Sequence, residues 1–132
     1  QCQTDWIVYR YADVLTLLAE AIVREGNTVT TEAINLLNQV RTRAGLTAYT
    51  ASSFSSARDF LDKLLIERAH EFYFEGCRRQ DLIRDGSYVA TMKQKCTDYG
   101  QVSIVNENYQ RFPIPESAII AGQGIIKQNP GY

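Results

Sequence analysis

A chain of 132 residues, 45% apolar and 22% charged, has the make-up of one globular domain with a modest core. A net charge of −1 excludes an overall field that would gather nucleic acid or an anionic membrane surface. Arginine outnumbers lysine ten to four, which favours fixed, forked ion pairs.

Residues 8–25 predict the first helix, because Val8, Tyr11, Ala12, Leu15, Leu18, Ala19 and Ile22 recur at three- and four-residue steps. Gly26-Asn27 ends it in the manner of a left-handed cap. Thr30 is the expected N-cap of a second helix. Glu32 lies in its first turn, Ala33, Leu37, Val40 and Ala44 form its apolar stripe, and Gly45 closes it. The two make an αα-hairpin. Leu15, Leu18, Ala19 and Ile22, then Ala33, Leu37 and Val40, fit the packing positions of a tetratricopeptide repeat, with a turn about two residues longer than consensus. Such a hairpin cannot bury its face alone.

After a polar loop, a third helix is expected from Ser56 to about Glu75, carrying Phe60, Leu61, Leu64, Leu65 and Phe72. Gly76 interrupts it. A short fourth helix runs over residues 78–84 and ends at Gly86, which makes a second hairpin. Beyond that the pattern becomes polar with scattered aromatics. Residues 102–105 and 109–112 admit two short strands around Asn106-Glu107-Asn108. "FPIP" at 112–115 must be extended, residues 116–121 allow one helical turn, and Asn129-Pro130-Gly131-Tyr132 has the residues of a type II turn.

The densest chemistry lies in "ERAHEFYFEGCRRQDLIRDG", residues 67–86. His70-Glu71 opens a zinc-protease pattern, but the second histidine position is Phe74 and the chain holds no other histidine. Cys77 lies seven residues from His70, about 10 Å along an unbroken helix, which is too far for a catalytic pair. Cys2, Cys77 and Cys96 show no zinc spacing. A Cys77–Cys96 disulfide and thiols in or near the core both remain open, the second being favoured.

Glu67, Glu71 and Glu75 repeat at four-residue steps, a stripe of like charge that needs cations to answer it. Arg41 and Arg43 end the second helix, while Arg78, Arg79 and Arg84 follow the stripe. Glu20 is a further carboxylate on an apolar helix. The expected outcome is a structural ion-pair network of Glu20, Arg41, Arg43, Glu67, Glu71, Glu75, Arg78 and Arg84, rather than an acid–base site. No phosphate loop, GxGxxG or GxSxG occurs, and nothing calls for a cofactor or metal. Trp6, Tyr49, Tyr88, Tyr99 and Tyr109 lie off the helix stripes, where they either plug loops or offer faces on which sugar rings stack.

"YRYADVLTLLAEAI" (9–22), "AINLLNQVRTRAGL" (33–46), the segment 67–86, "RFPIPESAI" (111–119) and "QNPGY" occur in order. Together they resemble the C-terminal region of the SusD/RagB family of Bacteroidota outer-membrane nutrient-binding lipoproteins. Arg79-Gln80 stands where that family often has an aromatic pair, and Gly122-Gln123-Gly124 where an asparagine-proline step is usual.

The resemblance implies a mainly α fold of tetratricopeptide-like hairpins over residues 1–86 with a loop-rich, irregular tail over 87–132, together one piece of a longer protein. It implies a non-enzymatic role: capture of oligosaccharide or another nutrient at the cell surface, beside a SusC-like TonB-dependent transporter. The membrane is then reached only through a lipid anchor upstream, and Cys2 is not that lipidated cysteine. Trp6, Tyr99 and Tyr109 are the expected ligand-binding residues, chosen for aromaticity and loop position. The alternative is a tetratricopeptide-like protein-interaction scaffold that binds no sugar.

Overall fold

The structure is a computed structural model that describes residues 8–132, so Trp6 and Cys2 lie outside the described residues. It is mainly α, with six α-helices and no strand among the described residues. The chain forms two compact units, one ending at Arg78 and the other spanning Arg79 to Tyr132.

The first unit contains α1 (Tyr11–Gly26), α2 (Thr31–Arg43), a short 3-10 turn (Ala51–Ser53) and α3 (Ala57–Glu71). The α1–α2 hairpin is tetratricopeptide-like. Helix α1 starts three residues later than its periodicity suggests, because Arg10 is extended (φ −121°) and serves as N-cap. The left-handed residue at its C-terminus is Asn27 (φ 46°), not Gly26, which is still helical. Thr30 caps α2 by accepting a hydrogen bond from the Ala33 amide, and Ser56 caps α3 by accepting one from Asp59. Leu46 N–H reaches back to the Arg41 carbonyl across Gly45, whose φ of 81° is the reason glycine stands there.

The core joins all three helices: Ala19 and Val23 from α1, Ala33, Ile34 and Leu37 from α2, and Phe60, Leu61 and Leu64 from α3. Phe60 and Leu37 are fully enclosed, each stabilising the unit by about 1.5–3 kcal/mol. Helix α3 stops at Glu71 rather than near Glu75. Phe72 is its C-cap, and the chain then turns through left-handed Phe74 (φ 65°) and Gly76 (φ 83°), which no α-helix accommodates.

In the second unit, α4 (Arg78–Asp85), which begins at the junction, ends at Gly86 (φ 79°). Helix α5 (Tyr88–Asp98) follows, a helix the polar composition conceals because it buries no residue. The two short strands allowed around Asn106 do not form. Asn106 instead accepts a hydrogen bond from the Asn108 amide and starts a 3-10 turn over Glu107–Gln110, a local side-chain bond that outcompetes pairing.

Helix α6 (Glu116–Ala121) is the expected single turn after "FPIP". The tail is held by amides. Gln128 accepts from Ile114 N–H and donates to the Ile114 carbonyl, and Asn129 donates to the Phe112 carbonyl. Gly131 has the φ of 95° that a type II turn demands, and a Cβ there would collide with Asn108.

Candidate functional site

Arg10, Arg41, Arg43, Glu67, Glu71 and Glu75 meet where the end of α3 faces the start of α1 and the end of α2. Arg10 is the hub. Its Nη1 donates to Glu71 Oε1 (2.7 Å), and its Nε and Nη2 grip both oxygens of Glu75 (2.9 and 2.8 Å). Its Nη2 also donates to the Glu71 carbonyl, satisfying a main-chain acceptor that the last turn of α3 leaves open. From α2, Arg43 pairs with the other oxygen of Glu71, and Arg41 pairs with Glu67. The carboxylates therefore lie on successive turns of α3 or just past it, and arginines from both neighbouring helices answer them.

The electrostatics follow from this geometry. The hydrogen bond from Arg10 holds the Glu75 carboxyl below the ordinary range, and the same bond, opposed by burial, pushes the Arg10 guanidinium further up. Burial first, and then donation of its hydroxyl to Glu67 (3.0 Å), raise the Tyr49 phenol. Arg41 lies 4.0 Å from the Tyr49 ring centroid. Asn38 fixes Tyr49 by bonding both its N–H and its carbonyl.

A second charged contact lies deeper. Arg68 on α3 is only 2% exposed and Asp13 on α1 only 6%. Arg68 Nη1 lies 2.7 Å from Asp13 Oδ1, a buried ion pair. The same Nη1 donates to Thr16 Oγ1 at 2.5 Å, and Thr16 in turn donates to the Ala12 carbonyl. The Phe72 ring centroid lies 4.7 Å from the Arg10 guanidinium and 4.8 Å from that of Arg68.

Of the residues named from sequence, Arg41, Arg43, Glu67, Glu71 and Glu75 come together here. Glu20 pairs with Arg24 one turn along α1 (2.8 Å), Arg78 donates to the Leu65 carbonyl (2.8 Å), and in the second unit Arg84 pairs with Asp81 (2.9 Å). Arg10, Asp13, Thr16 and Arg68 were not in that set. Arg68 was findable, since it falls on the Leu61–Leu64–Phe72 stripe where a charge must have a buried partner. Arg10 gave no local signal, being 61 residues from Glu71.

His70 is exposed, Cys77 and Cys96 are half-buried thiols, and among the described residues no cluster could hold a metal ion.

Tyr99 and Tyr109, the two described residues among those expected to bind ligand, belong to the second unit. Tyr99, the C-cap of α5, is 80% exposed. Tyr109 is partly covered, its ring 6.3 Å from that of Tyr132. Arg79 anchors this region by donating to the Tyr109 carbonyl, with the Phe112 ring 4.1 Å and the Tyr88 ring 5.4 Å from its guanidinium. A polar concavity of about 280 Å³ adjoins Tyr109, lined by Glu107, Asn108, Gln110, Arg111 and Pro130.

Known proteins supply the context for this arrangement. The SusD family model matches residues 1–132, the whole chain. The chain belongs to the SusD family. Starch-binding protein SusD of Bacteroides thetaiotaomicron is 32% identical over 98% of the chain, a match that takes in 22% of that relative. A SusD-like protein, P38, of Formosa agariphila is 37% identical over 67% of the chain and 18% of its own length. The chain thus spans about a fifth of the length of these SusD relatives.

Among solved structures, a SusD homologue from Bacteroides thetaiotaomicron superposes over 96% of this chain and 27% of its own, with TM-score 0.81 and 32% identity. Surface glycan-binding protein A from the same organism does so over 95% and 24%, with TM-score 0.73 and 32% identity.

Proposed function

We propose that this chain is part of a non-enzymatic glycan-binding protein of the bacterial outer-membrane surface, one that passes oligosaccharide to a SusC-like TonB-dependent transporter. The observation that carries the reading is the SusD match along the whole chain, together with relatives named for binding starch and surface glycan. Within it, the first unit acts as a scaffold. Its polar side chains are spent on one another, as the Arg10–Glu71–Glu75 and Arg41–Glu67–Tyr49 sets illustrate. No helix among the described residues is long and apolar enough to cross a membrane, and attachment is assigned to a lipid anchor upstream.

Trp6, Tyr99 and Tyr109 remain the proposed sugar-facing residues. Tyr99 has the open ring face that stacking on a pyranose needs. The test is calorimetric titration of the full-length gene product with soluble maltooligosaccharides and a panel of other glycans. Binding of one class, weakened severalfold by Tyr99→Ala or Tyr109→Ala with unchanged melting temperature, supports both function and site. Binding that neither variant weakens removes the two tyrosines. Absence of glycan binding, with retention of a protein partner on affinity isolation, replaces the reading with that of a protein-interaction scaffold.

A further inference from the structure

Among the described residues, the Arg111 guanidinium has no acceptor. Every other arginine of the chain donates to a carboxylate or a main-chain carbonyl. Arg111 lines the polar concavity of about 280 Å³ in the second unit, with Glu107, Asn108, Gln110 and Pro130. The main chain that carries it is fixed. Tyr132 Oη donates to the Arg111 carbonyl (3.0 Å), the Arg111 amide donates to the Asn108 carbonyl (3.2 Å), and Arg79 holds the Tyr109 carbonyl (2.9 Å). A binding group on backbone already ordered loses less freedom when a ligand arrives. The concavity is also polarised. Arg111 caps the C-terminal end of the 3-10 turn and Glu107 begins it. One Glu107 oxygen accepts from the Gln110 amide, which leaves the second for an outside donor.

We propose that this concavity is a subsite for a hexuronate residue of the captured glycan, with Arg111 receiving the sugar carboxylate and Glu107 accepting a ring hydroxyl. The proposal rests on the glycan reading and narrows it to acidic saccharides. A guanidinium presents a planar fork that matches a carboxylate with two parallel hydrogen bonds. A hexuronate carries its carboxylate on C5 and hydroxyl donors across the ring on C2 and C3, so its polarity matches both ends of the turn. The neutral hexose offers Glu107 the same hydroxyls but gives Arg111 only an uncharged hydroxymethyl group. Tyr109, which adjoins the concavity and is partly exposed, offers a ring for the apolar face of the sugar.

The experiment uses the full-length gene product, titrated at low ionic strength with oligogalacturonates, oligomannuronates and oligoglucuronates. Each is compared with its carboxyl-reduced, neutral form, and maltooligosaccharides are included. At least one oligouronate is expected to bind about tenfold or more tightly than its reduced form. That advantage should shrink with added salt and vanish in Arg111→Gln, whose melting temperature stays unchanged because the side chain is exposed. Equal affinity for the acidic and reduced forms overturns the proposal, as does a preference for the acidic form that survives Arg111→Gln. Binding of neutral glycans alone overturns the subsite and leaves the glycan reading standing. Absence of binding by every glycan overturns both.

Discussion

Replacing Asp13 with alanine tests whether charge inside the first unit is structural. Arg68 is 2% exposed, so the variant leaves a guanidinium in the core with Thr16 and Phe72 still beside it but without its carboxylate 2.7 Å away. Two unit charges at that distance attract by roughly 6 kcal/mol at an effective dielectric constant of about 20, before desolvation is set against them. Breaking one side of such a pair costs about 3–5 kcal/mol, because the remaining charge stays buried. For a chain of this length that lowers the melting temperature by roughly 10–18 °C. The assay is thermal and urea denaturation followed by far-ultraviolet circular dichroism. The double variant Asp13→Leu/Arg68→Met, which removes both charges and fills the space, is expected to recover most of the loss. If Asp13→Ala costs less than about 1 kcal/mol, Arg68 is satisfied without Asp13 and the reasoning fails.

Two further outcomes follow from the Arg10 hub. Glu71→Ala is expected to destabilise by about 1–3 kcal/mol, less than the Asp13 variant, because Arg43 is largely exposed and Arg10 keeps Glu75. Unchanged urea stability would remove any structural role for the Arg10–Glu71–Arg43 ion pairs. Glu75 has a folded-state pKa depressed by Arg10, so its contribution is present above the unfolded value of 4.5 and is lost as pH falls below it. Glu75→Gln should flatten the acid side of the stability-versus-pH curve, and a parallel curve of unchanged steepness contradicts the assignment.

The helices of the first unit are legible because they are amphipathic on their packed sides. Leu15 and Ala19, then Ala33, Leu37 and Val40, keep helical spacing and are buried, whereas Tyr11 and Leu18 of the expected α1 stripe are exposed and Val23 is buried in their place; Thr30 and Ser56 stand where orphan amides need acceptors. Helix α5 is not legible because periodicity reports burial, and this helix buries nothing. Its signals were Ser87 before it and Gly100 (φ 68°) after it. The end of α3 depends on Phe74 adopting a left-handed backbone, which no phenylalanine announces. The Glu67–Glu71–Glu75 stripe was visible, as were Arg41 and Arg43 that answer it. Arg10, the cation that links Glu71 to Glu75, was not, since folding alone brings it across 61 and 65 residues.

Helix ends ordinarily fray, the first turn opening many times for each global unfolding event. The start of α1 is fastened against this at two levels. Arg10 holds Glu71 and Glu75 just ahead of the helix, and Asp13 faces Arg68 one turn on. Peeling α1 from its N-terminal end must therefore break charged contacts before any apolar contact of Leu15 or Ala19 is lost. The amides of its first turns are consequently coupled to the opening of the whole unit, and their hydrogen exchange reports on core stability where an ordinary helix start would report only its own loosening.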